Sequence, residues 1–325
     1  MLDVHRRRQA GEQAVLSRVH LPAFEEGGVV AAVCTAGGDC LSLCPFGMDE
    51  PYRGAMALID ELYADVAESE GRLAVATSPD EVEVCIDRGV VALVPALEGA
   101  MPFEGDIERV DEFYERGVRV VGLTWNSRND FAVGLGSGEG GLSNVGGRGV
   151  ERMNDLGILV DLAHSTPQTF WDVTRVSRAP VYDSHANAKA VCDHPRNLDD
   201  RQLEVISESG GAVGVTFWPH FVAAGRGTVD DVGTHLKYLV ETVGTDSVVI
   251  GADFIDYGLE ELAGDLRAHG NLYPDLPVFP IGVETVREMQ NLIVTLPGSG
   301  VDDGVIGKIA SGNFLRVWRA TQAAV

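Results

Sequence analysis

The sequence predicts a (β/α)8 barrel, built as a single domain over residues 1–325. Three observations favour this α/β fold class: short apolar runs alternate with helical patterns, no linker divides the chain near its middle, and the length suits one large domain. The runs are continuously apolar, which is typical of strands that are covered on both faces. The predicted strands are 1–5, 28–35, 90–97, 118–124, 158–163, 180–183, 212–217 and 248–252.

Helices are predicted between and after these strands. Apolar residues recur there at helical spacing, and one short helix ends at Gly157, a glycine in the position expected for a helix terminus. A doubly wound sheet is the alternative fold, but it requires a glycine-rich turn after its first strand, and the sequence has none there. Alongside a small strand at Leu73–Thr77, the predicted helices are Gly54–Glu70, Asp80–Asp87, Asp106–Arg116, Gly149–Leu156, Asp199–Ser209 and Val229–Val243, with Val283–Leu296 and Gly304–Ala320 as two closing C-terminal helices.

The most informative local pattern is a βαβ unit near the middle of the chain. Two apolar runs each end in a histidine, His164 and His185. Between them lies a helix-length segment, with Ser165 or Thr166 placed to cap it and Pro167 in its first turn. Neighbouring parallel strands bring their carboxyl ends to the same rim, so the two imidazoles are well placed to bind a metal ion.

Polar residues also follow other predicted strands, and a barrel would bring them to one mouth. Imidazole and carboxylate are zinc ligands, and an aspartate after the last strand could accept a proton from a water molecule. Any one of these residues is more simply explained as a hydrogen-bonded core group, whereas their combination favours a metal site. The set comprises His5, Glu98, Trp125, Asn126, His164, His185 and Asp253.

Composition excludes several classes of function. The net charge of −24 argues against nucleic acid and anionic membrane as partners. The five scattered cysteines are unlike a disulfide framework. The first residues lack the apolar core of a signal peptide, and no apolar run approaches the roughly 20 residues of a membrane-spanning helix. We therefore expect a cytoplasmic protein that acts on a small molecule.

A family resemblance is carried by several blocks that occur in a fixed order from about His5 to Arg316. They are HLPAFEEGGVVAAVCTA, ALEGA, GLTWNSRND, GLSNVGGRGVERMNDLGILVDLAHST, SHANAKAVCDHPRNLDDRQLEVISESGGAVGV, IGADF and SGNFLRVW. In these blocks the chain resembles the membrane (renal) dipeptidase family, a branch of the metal-dependent amidohydrolase superfamily. The resemblance implies a barrel enzyme that acts on peptide-like substrates, and a homodimer.

The resemblance also implies roles for individual residues. Family members bind two zinc ions, and by resemblance Glu98 is the bridging carboxylate while His164 and His185 complete one metal position. Asp253 resembles the catalytic aspartate of the family. Arg196, in the motif HPRN, resembles the arginine that holds the terminal carboxylate of the substrate, a task that suits a planar guanidinium.

Two positions depart from the family pattern. The family opens with His-x-Asp, which provides ligands for a second metal ion, but here Arg7 stands two residues after His5, and a guanidinium cannot bind a cation. We therefore expect one zinc ion, with the second doubtful, and Arg7 beside a carboxylate of the mouth or of a ligand. A frayed strand with Arg7 in solvent is the alternative. Trp125 replaces a substrate-binding histidine, and Asn126 is expected to donate a hydrogen bond to a substrate carbonyl.

Three functions are compatible with these residues. The first is hydrolysis of a dipeptide or an N-acyl amino acid amide by metal-activated water. The second is non-hydrolytic chemistry, such as an isomerisation, by a biosynthetic relative that acts on a peptide-like metabolite. The third is a binding protein without turnover. Metal content per chain, measured beside dipeptide turnover, separates the three.

Overall fold

The computed structural model describes residues 1–255, 257–295 and 303–324. Its centre is a curled sheet of parallel strands, formed by β1 (Ala31–Gly38), β2 (Leu73–Val75), β3 (Val91–Glu98), β4 (Val120–Gly122), β5 (Leu159–Asp161), β6 (Tyr182–Ala186), β7 (Ala212–Val215) and β8 (Val248–Ile250). From β3 to β8 each strand pairs with the next one in the chain, and both β1 and the short β2 pair with β3.

Helices occupy the connections between the strands, which confirms the predicted α/β class. None of the helices in the described ranges combines the length and the apolar character needed to cross a membrane. The helices are α1 (Leu2–Gln9), α2 (Leu21–Gly27), α3 (Pro51–Ala67), α4 (Pro79–Asp87), α5 (Glu108–Glu115), α6 (Asn144–Leu156), α7 (Pro167–Val176), α8 (Asp200–Glu208), α9 (Pro219–Val222), α10 (Val229–Val243), α11 (Leu259–Ala268), α12 (Gln290–Thr295), α13 (Asp303–Gly307) and α14 (Asn313–Ala323).

The predicted strand at residues 1–5 is wrong, because these residues belong to α1. Asp3 lies in the first turn of this helix, and it accepts from Arg6 Nη2 at 2.6 Å and from Arg7 Nε at 2.9 Å. Opposite charges at i, i+3 and i, i+4 spacing stabilise a helix, as do an acidic first turn and a basic last turn. These ion pairs outweigh the short apolar pattern, which is too brief to distinguish a strand from a helix.

The helix boundaries near the predicted metal ligands follow their capping residues. Gly157 ends α6 in the left-handed conformation, with φ of +71°. Thr166, and not Ser165, is the N-cap of α7; its side chain accepts from the Thr169 N–H, and Pro167 occupies the first turn. The predicted order of strand, capped helix and strand is therefore confirmed, although β5 (Leu159–Asp161) is shorter than the predicted 158–163 and β6 (Tyr182–Ala186) extends three residues beyond the predicted 180–183.

The two closing helices differ from their predicted form. In place of one helix over Val283–Leu296 the structure has a 3-10 turn at Val286–Glu288 followed by α12, and Leu296 lies outside the described residues. The predicted helix Gly304–Ala320 is divided into α13, a π-helical turn at Lys308–Gly312 and α14.

Alternate residues of β3 face the barrel interior. Ala92, Val94 and Ala96 pack in one apolar cluster with Trp318 of α14. The cluster also includes the first residue of each strand from β4 to β7. It therefore lies at the amino-terminal end of the strands. Glu98 is the next residue on the same face of β3, at the opposite, carboxyl end. The interior is therefore apolar at one end and opens on Glu98 at the other.

We predict that α14 is required for stability. Trp318 is fully buried in the cluster below the strands. Trp318→Ala should lower the free energy of unfolding by about 3–5 kcal/mol, because it leaves a cavity that the surrounding strands cannot fill. Denaturant unfolding measures this change. Val84→Ala, at a side chain that is 46% exposed on α4, is the control and should have almost no effect. Equal stability of the two variants would contradict the predicted contribution of α14 to stability.

Candidate functional site

Three side chains converge at the carboxyl ends of neighbouring strands. Glu98 ends β3, His164 follows β5, and His185 lies in β6. Glu98 Oε1 is 3.3 Å from His164 Nε2 and 3.7 Å from His185 Nε2. The two Nε2 atoms are 2.8 Å apart, and one ligand atom from each residue fits within 4.8 Å. This grouping has the composition and spacing of a metal centre.

Hydrogen bonds behind the imidazoles fix the direction of their lone pairs. His164 Nδ1 lies 3.0 Å from Asn126 Oδ1, an acceptor, so Nδ1 carries the proton and Nε2 the lone pair. His185 Nδ1 lies 2.6 Å from Ser184 Oγ, and the Ser184 N–H donates to Asp161 Oδ1 at 2.8 Å. The Nε2 atoms of both rings face one another and Glu98. Partners of this kind commonly orient metal-binding histidines.

Burial keeps both imidazoles in the neutral form that binds metals. It lowers the pKa of His164 and of His185 well below the usual value, and the charge of Arg196 lowers both further. Burial, with the charges of Asp253 and Asp161, raises the pKa of Glu98 well above its usual value. A quarter of the Glu98 side chain stays exposed, towards the central cavity. A cation in contact with Glu98 would favour its ionised form.

Two residues of the site have left-handed backbone conformations. The φ angle is +65° at His164 and +59° at Asp253. Residues other than glycine rarely adopt this conformation, and it persists where the surrounding structure holds it in place. At His164 the following turn carries a hydrogen bond from the Ser165 N–H to the Leu162 carbonyl at 3.1 Å.

Asp253 follows β8 and faces the same cavity as the cluster. Burial raises the pKa of its carboxyl to about 7; the nearby charge of Arg196 lowers this pKa, and that of Asp161 raises it. A carboxyl group with a pKa near neutrality can both accept and release a proton under physiological conditions. The structure thus places a carboxyl group with a raised pKa in the same cavity as the ligand set.

Arg196 lies behind His185, buried to 3% exposure. Its Nη2 donates to the His185 carbonyl at 3.2 Å, and its guanidinium stands 5.3 Å from the centre of the Phe221 ring. Its Nε is buried without a hydrogen-bond partner, and within the described ranges it forms no direct ion pair. It borders a small cavity of about 80 Å³ that His164 and Asp183 also line.

An aromatic wall stands beside the histidines. The Trp125 ring lies 5.9 Å from that of His164 and is stacked on Tyr273, with 6.3 Å between the ring centres. Asn126 is fully buried, and its Nδ2 donates to the Tyr273 hydroxyl at 2.9 Å. Asn126 therefore bridges Tyr273 and His164; a contact between Asn126 and substrate stays a prediction.

His5 and Arg7 do not join this site. His5 lies on α1, where Nδ1 is 2.9 Å from Glu61 Oε1. Arg7 binds Asp3 and also Glu12, whose Oε1 is 3.2 Å from Arg7 Nη1. The prediction that both residues project into the mouth is therefore wrong. It required a strand at residues 1–5, and on a helix the residues i and i+2 do not share a face.

Sequence reasoning missed the residues that support the ligands from behind. Asp161 and Ser184 hold His185, and Tyr273 holds Asn126. Asp161 was visible as an acidic residue within an apolar run, and Ser184 as the neighbour of a predicted ligand. Tyr273 had no such signal, because it comes from the segment after α11, far from the predicted strands.

Comparisons with known proteins agree with this geometry. The family model "Membrane dipeptidase (Peptidase family M19)" matches residues 9–325. An uncharacterized protein in the pqqA 5' region of Klebsiella pneumoniae is 35% identical over 274 residues, which cover 81% of this chain and 93% of that protein. An uncharacterized dipeptidase of Schizosaccharomyces pombe is 33% identical over 240 residues, 72% of this chain and 54% of that protein. The chain thus spans little more than half of the yeast relative.

Solved structures show the same fold. An amidohydrolase from Pseudomonas aeruginosa superimposes with a TM-score of 0.83 at 28% identity, covering 93% of this chain and 92% of that one. A metallo peptidase from Rhodobacter sphaeroides superimposes with a TM-score of 0.79 at 25% identity, covering 97% and 95%. Together with the match over residues 9–325, these likenesses show that the chain belongs to the membrane dipeptidase family, peptidase family M19, and is an amidohydrolase-like enzyme with a TIM-barrel-type fold.

Proposed function

We propose that this protein is a zinc-dependent dipeptidase that hydrolyses the amide bond of a dipeptide or of an N-acyl amino acid. The observation that carries this proposal is the convergence of the ligand atoms of Glu98, His164 and His185 within 4.8 Å. The Rhodobacter sphaeroides relative was solved with a phosphinate mimic of the dipeptide L-Ala-D-Ala, which supports a dipeptide as the substrate class.

The three converging residues fit a zinc ion. Two neutral imidazoles and one carboxylate are a common zinc ligand set, and three protein ligands leave an open position. A zinc ion held by them supplies a Lewis acid that polarises the amide carbonyl and activates water. The chain itself fixes the ligand directions, through Asn126 behind His164 and Ser184 behind His185.

Asp253 is proposed to move the proton. Its carboxyl accepts a proton from the attacking water and passes it to the departing amine, since its pKa of about 7 suits both directions. Trp125, which is buried beside His164, is proposed to provide an apolar wall for the bound substrate. Arg196 is proposed to bind the carboxylate of the substrate, since its buried Nε has no partner within the protein.

The cellular setting rests on the sequence alone. The cytoplasmic location, the homodimer, and the exclusion of nucleic acid and membrane as partners stay predictions.

Our first prediction from the site concerns metal content. The purified protein should retain one zinc ion per chain, and His164→Asn and His185→Asn should each reduce it to near zero, because each change removes one of three ligands. Elemental analysis after gel filtration measures this, with circular dichroism to verify folding. The control is His220→Asn, at a histidine that pairs with Asp275. Two ions in the unaltered protein, or full retention in both cluster variants, would contradict the proposal.

The second prediction separates proton transfer from metal binding. Asp253→Asn should reduce kcat for dipeptides by about 10²-fold or more while the zinc content is unchanged. The fold should persist, because asparagine tolerates the left-handed backbone that this position requires. Asp193→Asn, at a side chain that is 88% exposed, is the control. Full activity of Asp253→Asn would show that another group transfers the proton.

The third prediction tests carboxylate recognition by Arg196. Arg196→Lys should raise the KM for L-Ala-D-Ala about 10- to 100-fold, because it removes a charged two-point hydrogen bond. The rate with the C-terminal amide of the same dipeptide should change little, since that substrate lacks the carboxylate. Arg201→Lys, on the exposed face of α8, is the matched control. If kcat/KM falls by the same factor for both substrates, Arg196 has a structural role and does not bind the carboxylate.

A further inference from the structure

A tyrosine lines the cavity that holds the proposed zinc ligands. Tyr273 follows α11, is 4% exposed, and shares the lining of this cavity with Glu98, His164 and Asp253. Burial raises the pKa of Tyr273 to about 12, and the charges of Asp253 and Glu98 act in the same direction, so its hydroxyl lies near both carboxyl groups. A buried hydroxyl is therefore available where a substrate would bind.

Aromatic contacts fix the direction of the Tyr273 ring. It is stacked on Trp125, with an angle of 9° between the ring planes, and Trp218 meets it edge-on with 5.5 Å between the ring centres. The Tyr273 N–H donates to the His269 carbonyl at 3.1 Å, which fixes the backbone as well. A ring packed in this way loses little further freedom when a ligand binds, as a preorganised hydrogen-bond donor requires.

The hydroxyl proton of Tyr273 is directed by a chain of hydrogen bonds that begins at a metal ligand. A neutral His164 presents a lone pair at Nε2 when its Nδ1 carries the ring proton. Nδ1 then donates to Asn126 Oδ1 at 3.0 Å, which leaves Asn126 Nδ2 to donate to the Tyr273 hydroxyl oxygen at 2.9 Å. The hydroxyl accepts this bond and keeps its own proton for another acceptor.

That proton has no protein acceptor in the part of the chain that the structure describes, where the bond from Asn126 is the hydrogen bond found at the Tyr273 side chain. With a pKa of about 12 the hydroxyl stays protonated at physiological pH. A fixed O–H donor of this kind gains a hydrogen bond when a ligand supplies an oxygen, and the bond is stronger when that oxygen is negatively charged.

We propose that Tyr273 is a further catalytic residue, whose hydroxyl donates a hydrogen bond to the amide carbonyl oxygen of the substrate as negative charge develops there. This role rests on the proposed dipeptidase function. When the water oxygen bonds to the carbonyl carbon, the π electron pair of the C=O bond moves to the carbonyl oxygen and the water proton passes to Asp253. When the C–N bond breaks, that pair re-forms the carbonyl and Asp253 gives its proton to the amine. Tyr273 keeps its proton throughout, and its hydrogen bond is strongest while the oxygen is charged.

The test compares Tyr273→Phe with the unaltered protein, both loaded with zinc. Phenylalanine keeps the stacking on Trp125 and removes the hydroxyl alone. We expect kcat for L-Ala-D-Ala to fall about 10²-fold or more with little change in KM, because the lost hydrogen bond is fully formed only in the transition state. Zinc content and the circular dichroism spectrum should be unchanged. Tyr63→Phe, at a 40% exposed tyrosine that donates to the Arg116 carbonyl, is the matched control and should keep full activity.

A second set of measurements follows binding and does not depend on turnover. The phosphinate mimic of L-Ala-D-Ala, with which the Rhodobacter sphaeroides relative was solved, carries a charged oxygen on a tetrahedral centre and so resembles the transition state. In calorimetric titrations Tyr273→Phe should weaken phosphinate binding about 10²-fold, whereas the affinity for L-Ala-D-Ala itself, measured in the Asp253→Asn background, should change little. In unaltered protein that carries ¹³C at tyrosine Cζ, the Tyr273 resonance should shift when the phosphinate binds.

The outcomes distinguish the role of Tyr273 from the proposed function. Unchanged kcat and phosphinate affinity in Tyr273→Phe, or a Tyr273 Cζ resonance that does not shift, would overturn the role and leave the proposed function standing. So would a loss of zinc from Tyr273→Phe, since Tyr273 would then act through Asn126 and His164 as a positioning residue. A lack of dipeptide turnover in the unaltered, zinc-loaded protein would overturn the proposed function, and the role of Tyr273 with it.

Discussion

The site depends on one electrostatic constraint, which is that two imidazole lone pairs and a carboxylate share one small buried volume. The Nε2 atoms of His164 and His185 are 2.8 Å apart, and the hydrogen bond between His164 Nδ1 and Asn126 Oδ1 leaves the lone pair of that ring on Nε2. The two rings and the Glu98 carboxyl bring three potential ligand atoms together, and a cation held between them would favour the ionised form of Glu98 beside the neutral imidazoles.

The barrel holds these side chains in place through the register of its strands and through hydrogen bonds to the two imidazoles. Parallel register brings Glu98 to the level of Gly122 on β4, and Gly122 to that of Asp161 on β5, so that the carboxyl ends form a continuous rim. Asn126 then fixes one ring and Ser184 the other. The apolar cluster around Trp318 at the far end stabilises the strands without approaching the ligands. The residues that stabilise the barrel and those of the candidate metal site therefore lie at opposite ends of the strands.

The sequence predicts the parts of this structure that depend on local pattern and fails where distant segments compete. The βαβ unit was predictable, since apolar runs, a cap and a proline determine it locally. The strand predicted at residues 1–5 rested on a short apolar segment, Met1–His5, and so short a segment does not distinguish a strand from a helix. The ion pairs of Asp3 with Arg6 and Arg7 favour a helix there instead. Tyr273 could not be predicted, because its contact with Asn126 arises only from tertiary packing.

Charge balance links the metal centre to the rest of the mouth. Burial raises the pKa values of Glu98, Asp161, Asp183 and Asp253, and the positive charge of Arg196 lowers the pKa of all four. One guanidinium does not offset the effect of burial on four carboxyl groups, and a bound divalent cation would favour their ionised forms. Binding of the cation and ionisation of these acids are therefore coupled. A cation bound between the imidazoles and Glu98 would therefore also favour the ionised form of Asp253, which is the form that the proposed base requires.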